Sequence, residues 1–199
     1  MGKPKIIYKD KSRSFVNFMA RESFNASIKN HKDKKLNFDF NFNNDIIRLK
    51  VDIKYLDSVN GMIHDGFDIS GSSSDEDMHM CISLHKEYFT KRAYNLYNAE
   101  LREFLRHELE HIGQYLEVPG KAEIYGLEPS NNIIEYLTQP YEVDAFLYGL
   151  NYKRKYLKTD ILDEIDILLR DYYKVTDIWP VKKIWIERLK IILSHTIHQ

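Results

Sequence analysis

Two periodicities divide the chain. Leu36, Phe38, Phe40 and Phe42 alternate with polar residues, and Leu49, Val51, Ile53 and Tyr55 do so again after Asn43, Asn44 and Asp45. A period of two with a turn between predicts a β-hairpin with one apolar face per strand. Two more strands are expected, from about Gly61 to Ile69 and from Met78 to His85, joined by the Gly, Ser and acidic residues of Gly71 to Asp77 as a solvated connection. From Tyr88 onward the apolar positions recur at helical spacing, which predicts helices near 91–117, 140–157, 160–174 and 180–197. Trp179 and Trp185, with Ile184, Leu189 and Ile192, are expected to pack in the core of the helical part. Strands first and helices after give an α+β class. With 199 residues, enough for one good core, the expectation is a single domain over 1–199, strand-rich over 1–87 with a mostly antiparallel sheet, and helical over 88–199.

The helix expected over 91–117 carries the chemistry. On a wheel of about 100° per residue starting at His107, Leu101, Phe104, Leu105, Leu109, Ile112, Tyr115 and Leu116 fill one apolar arc. Arg102, Glu103, Arg106, Glu110, Gly113, Gln114 and Glu117 fill the opposite, wet arc. His107 and His111 lie on the seam, stacked by their i, i+4 spacing so that both rings can reach one ion at about 2.0 to 2.1 Å. Glu108 is the only charged side chain inside the apolar arc. A carboxylate costs several kcal/mol to bury unpaired. A divalent metal on the adjacent seam would compensate it, and the apolar setting favours proton capture from a metal-bound water. Glu110 lies on the wet side and is a poor candidate for that base.

His107-Glu108-Leu109-Glu110-His111 resembles the HExxH motif of zincin metallopeptidases, in which two histidines bind zinc and the glutamate is the general base. The resemblance covers about 45 residues, Leu101 to Ala145. It implies a strand-rich sheet before the metal helix, with an edge strand that binds extended substrate, a part open to Met78 to His85. A third zinc ligand is also implied. The metzincin pattern fails, since Gln114 and Glu117 stand where glycine and histidine are needed. A gluzincin-like arrangement takes a glutamate from a later helix, and Glu142 suits it: Pro140 fits the first helical position, and Ala145 and Gly149 follow on Glu142's side, small enough for close helix approach. Asp144 faces away. Glu135, Glu123 and Glu117 are the alternatives. Phe146 stands where a thermolysin-like pattern has an aspartate supporting a zinc histidine, so that support must come from elsewhere. For the oxyanion donor Tyr148 is chosen over Tyr136, Tyr141 and His79, a weakly specific choice among 14 tyrosines.

Composition narrows the partners. With 29 basic and 30 acidic side chains the net charge is −1, which points to neither nucleic acid nor membrane. Lys153, Arg154, Lys155, Lys158, Lys182 and Lys183 are expected to keep helical faces wet. His195 and His198 are expected to complement a helix end, and His64, His79 and His85 to sit in strands or loops without metal. One cysteine, Cys81, fits a reducing compartment. No apolar run has the length of a signal peptide or membrane span, and Ile6 spoils a myristoylation motif at Gly2, so a cytoplasmic protein is expected. The expected function is a zinc-dependent peptide-bond hydrolase acting on a peptide or protein substrate. The alternative is a catalytically inactive zincin-like domain that binds metal or a partner.

Overall fold

The computed structural model of the chain describes residues 5–7, 12–25, 33–42, 45–56, 64–69, 77–85, 94–117 and 132–196. The chain divides into two compact units, Met1–Leu105 and Arg106–Gln199. The boundary between them falls inside a long helix.

The first unit contains strands β1 (Lys5–Ile7), β2 (Lys34–Phe42), β3 (Asp45–Leu56), β4 (His64–Ile69) and β5 (Asp77–His85), and helix α1 (Ser12–Phe24). The predicted hairpin forms in register: Leu36 lies opposite Val51, Phe38 opposite Leu49, and Phe42 opposite Asp45. The two alternations are therefore in phase, as a shared apolar face requires. The strand order is β1-β2-β3-β5-β4. Pairing is antiparallel for β2β3 and β4β5 and parallel for β1β2 and β3β5, so the sheet is mixed. Met78 to His85 is also not an edge: β5 is hydrogen-bonded to β3 on one side and β4 on the other. Parallel neighbours need a crossover, and here β4 belongs to it. Alternation along a strand reports its two faces and says nothing of its two neighbours.

Helix α1 falls where only β-structure was expected. Val16, Met19 and Ala20 are fully buried, and their i, i+3, i+4 spacing is the helical signature that the stronger alternation downstream overshadowed.

Helix α2 (Tyr94–Glu117) crosses into the second unit, which continues with α3 (Ile133–Thr138), α4 (Pro140–Leu157), α5 (Ile161–Ile167), a π-helical turn (Leu168–Tyr172) and α6 (Trp179–Thr196). The helix expected near 160–174 is thus α5 plus the wider turn. Leu147, Leu150, Ile165, Leu169, Val181 and Trp185 are completely buried members of one cluster. Leu189 and Ile192 join it, following Trp185 at i+4 and i+7 on one face of α6. Trp179 and Ile184 do not, being 64% and 44% exposed. Ile184 is one residue off the Trp185 face, about 100° around the helix, and Trp179 opens the helix ahead of Pro180. Lys153 departs from the wet face expected of it: it is buried, with Nζ 3.2 Å from the Glu164 carboxylate. No helix among the described residues is long and apolar enough to cross a membrane.

One corner of this unit positions the site. Asn132 caps α3 by accepting from the Glu135 amide at 3.2 Å. Gln139 then ends α3 and precedes α4 with φ −65° and ψ 129°, the extended conformation that a following proline enforces. Pro140, in the first turn of α4, needs no amide partner. The break leaves the Leu137 carbonyl without a helical donor, and the buried Trp185 indole N–H supplies one at 2.7 Å. The corner is thereby fixed to α6, with Tyr136 on one arm and Glu142 on the other.

Candidate metal centre

The arcs of α2 sort largely as the wheel predicts. Leu101, Phe104, Leu105 and Leu109 are buried, and Glu108 is buried among them at 6% exposure. Arg102, Glu103, Arg106, Glu110 and Gln114 are partly exposed. Gly113, assigned to the wet arc, is buried. The side chains of Ile112, Tyr115, Leu116 and Glu117 lie outside the described residues. Glu110 pairs with Arg106 at 2.7 Å, an ordinary i, i+4 bridge on the outer face.

His107 and His111 are both buried, with Nε2 atoms 2.9 Å apart. The carboxylate of Glu142, in the first turn of α4, reaches both: its Oε2 is 3.6 Å from His107 Nε2 and 3.4 Å from His111 Nε2. One ligand atom from each of the three lies within 4.8 Å of the others. A tetrahedral ion with ligand bonds of about 2.0 to 2.1 Å needs its donor atoms about 3.3 Å apart. The three separations bracket that value. Moreover, Glu142 Oε2 is buried and accepts no hydrogen bond from the described residues. Two nitrogens and a carboxylate oxygen turned toward one point can hold a metal ion. Glu108 turns the same way, with Oε1 3.9 Å from His107 Nε2.

Proton affinities show how the site behaves without a cation. Burial lowers the pKa of His107 well below the ordinary 6.5, and charge on His111 and Arg106 adds to the effect. His111 is also opposed by burial, but its pairing with the Glu142 carboxylate and the charge of Glu108 outweigh it and push its pKa up to about 9. The two rings are thus pushed in opposite directions, with His111, beside the two carboxylates, the one that favours a proton.

The surroundings differ for the two rings. His111 Nδ1 lies 3.0 Å from Gln114 Oε1, and Gln114 Nε2 donates to the Tyr141 carbonyl at 3.0 Å. His107 packs on Phe146 with ring centroids 4.4 Å apart, and Phe146 stacks on Trp185 at 5.3 Å. Phe146, which occupies the position where a carboxylate was sought, thus holds its histidine by packing. Tyr136 joins this aromatic group, edge-on to Phe146, as does Tyr173 beyond the π turn. Burial, then the charges of Glu142 and Tyr173, raise the Tyr136 pKa far above its usual range, and its hydroxyl hydrogen-bonds to Glu142.

His107, Glu108, His111 and Glu142 are brought together; Tyr148 is not. Its ring lies under the Arg106 guanidinium at 4.7 Å, and its charged neighbours are Glu110, Arg106, Asp144 and Arg188. Six residues beyond Glu142 on one helix, it points about 240° away. Asp144 indeed faces away from the cluster, bound to Arg188 with a contact of 2.6 Å. Tyr141 approaches His111 edge-on, and burial and Glu142 push its pKa up to about 12. Glu135 is exposed. Glu123 lies outside the described residues, as do the side chains of His64, His79, His85 and His195 and all of His198. In the sequence Gln114 stands out only as a wet-arc residue and a break in the metzincin pattern, and Tyr173 not at all. The signal for Gln114 was its i+3 spacing from His111, one turn along the same side; Tyr173 left none.

No protein-family model, no curated protein and no solved structure matches the chain.

Proposed function

We propose that this chain is a zinc-dependent peptide-bond hydrolase of the zincin type, with an α+β fold and a gluzincin-like ligand set of His107, His111 and Glu142. The observation that carries the reading is the convergence of Glu142, from a separate helix, on both imidazoles of HELEH. Two imidazoles and one carboxylate are a donor set that suits zinc. Bound zinc would supply Lewis acidity, polarising a scissile carbonyl and lowering the pKa of a water.

The chain's own residues supply the rest. Glu108 holds a carboxylate at the edge of the cluster in an apolar setting, where it takes a proton from the attacking water and delivers it to the leaving amine. Tyr136, kept protonated by its burial and by the neighbouring carboxylate, donates to Glu142 and orients that carboxylate toward the histidines. His111 and Glu142 hold no proton in that state. The substrate is a peptide or protein.

A second reading, a metal-binding domain without activity, is favoured by the burial of His107, Glu108, His111 and Glu142, each less than a tenth exposed. One experiment separates the two. The purified full chain is expected to carry one zinc, and Glu108→Gln to keep it while losing about 10²- to 10⁴-fold in the rate of peptide cleavage. His111→Ala is expected to lose the zinc. Equal activity of Glu108→Gln and wild type would end the hydrolase reading, and absence of zinc from the wild type would end both.

A further inference from the structure

Gln114 stands between the two ligand-bearing helices. Its side-chain amide touches two groups, and one of them has only one role to play: the Tyr141 carbonyl oxygen accepts hydrogen bonds and donates none. The amide nitrogen must therefore face Tyr141, as it does at 3.0 Å. The amide oxygen is then left for His111 Nδ1, at 3.0 Å. An amide oxygen accepts only, so Nδ1 must carry a hydrogen. In the neutral imidazole a hydrogen on Nδ1 leaves Nε2 with the lone pair. Nε2 is the atom that faces His107 and Glu142.

We infer that Gln114 is a positioning residue that fixes His111 as the Nδ1–H tautomer and aims its Nε2 lone pair at the metal, an inference that rests on the metal-site reading above. The same amide ties α2 to the backbone of Tyr141, the residue before Glu142, so one side chain sets both the tautomer of one ligand and its distance from another. A carbonyl-type acceptor behind a metal histidine raises its basicity as well as orienting it. His107 has a different support, the face of Phe146.

The test uses the full chain with zinc as the probe and the variants Gln114→Met, which keeps the length but neither hydrogen bond, and Gln114→Glu, which keeps the acceptor. Nitrogen-15 spectra of the metal-free protein at about pH 10, where both rings are neutral, are expected to show His111 as Nδ1–H in the wild type and Gln114→Glu, and to lose that preference in Gln114→Met. Zinc affinity is expected to fall about 10- to 100-fold in Gln114→Met and to be retained in Gln114→Glu. Should Gln114→Met leave both tautomer and affinity unchanged while the wild type binds zinc, the inference is overturned and the metal site stands. Should the tautomer shift while neither protein binds zinc, Gln114 positions His111 and the metal reading is the part that fails. If Gln114→Met does not fold, Gln114→Glu decides alone: an Nε2–H tautomer for its His111 overturns the inference.

Discussion

Glu142 and Glu164 are both buried carboxylates of the helical unit, and they are neutralised in opposite ways. Glu164 has its cation built in: Lys153 Nζ lies 3.2 Å from one oxygen, and the Thr159 hydroxyl donates to the other at 2.7 Å. An ammonium group brings its own charge and three donors and has no lone pair to offer a metal, so this cluster is complete as soon as the helices pack. Glu142 faces two imidazoles instead. An imidazole is neutral or charged as its surroundings dictate and offers a lone pair when neutral, so this cluster is satisfied either by a proton on His111 or by a cation from outside. The first arrangement is a clamp and the second, on the proposed reading, a receptor, and the side chain chosen as the partner makes the difference.

The comparison breaks most visibly at the clamp. Lys153→Met leaves Glu164 without its counter-charge, and loss of one partner of a buried pair is expected to cost about 3 to 5 kcal/mol. Urea denaturation of the metal-free protein measures it, and the double variant Lys153→Met, Glu164→Leu should regain most of the loss. Zinc affinity should stay within about threefold of wild type in any Lys153 variant that folds, because the clamp shares no atom with the receptor.

At the receptor the order of effects reverses. Glu142→Gln is expected to weaken zinc at least about 100-fold, the upper end of what outer-sphere losses alone cause, or about 2.7 kcal/mol. Isothermal titration against a competing chelator reads it. A wild-type affinity in Glu142→Gln would show that the oxygen at 3.4 and 3.6 Å from the two nitrogens is no ligand.

The sharpest test is pH. The metal-free folded state holds the His111 pKa at about 9 against an ordinary 6.5. A pKa raised by folding contributes stability that is fully present below 6.5 and is lost as the pH rises through about 9. Metal-free protein should therefore melt at lower temperature at pH 9 than at pH 6. Zinc must displace that proton, so its affinity should rise about tenfold per pH unit up to about 9 and level beyond. Opposite slopes with and without chelator are the signature of a site that exchanges a proton for a metal, and parallel slopes would contradict it.

Much of this was legible in local pattern. The hairpin, the helix carrying HELEH and the Pro140 start of α4 all follow from spacing within one element, and so do the burial of Glu108 and the side of α4 to which Glu142 belongs. Failures came where a residue's fate depends on something distant. Lys153 reads as a wet-face lysine until Glu164 is placed beside it. Trp179 reads as core until the face of α6 is fixed by Trp185. Tyr148 and Tyr136 are equivalent as tyrosines, and only the corner at Gln139 puts one beside Glu142 and the other under Arg106.

The sequence by itself determined which residues share a turn: the i, i+4 stacking of His107 and His111 and the apolar side on which Glu108 falls are consequences of helix pitch alone. Tertiary structure decided which turns meet, and with that the approach of Glu142 to the two histidines, the Gln114 bridge and the placing of Tyr148 away from them. Helix geometry is set by backbone hydrogen bonds a few residues apart. The approach of α2 to α4 depends on a proline corner and a tryptophan from the far end of the chain, and no local period encodes that.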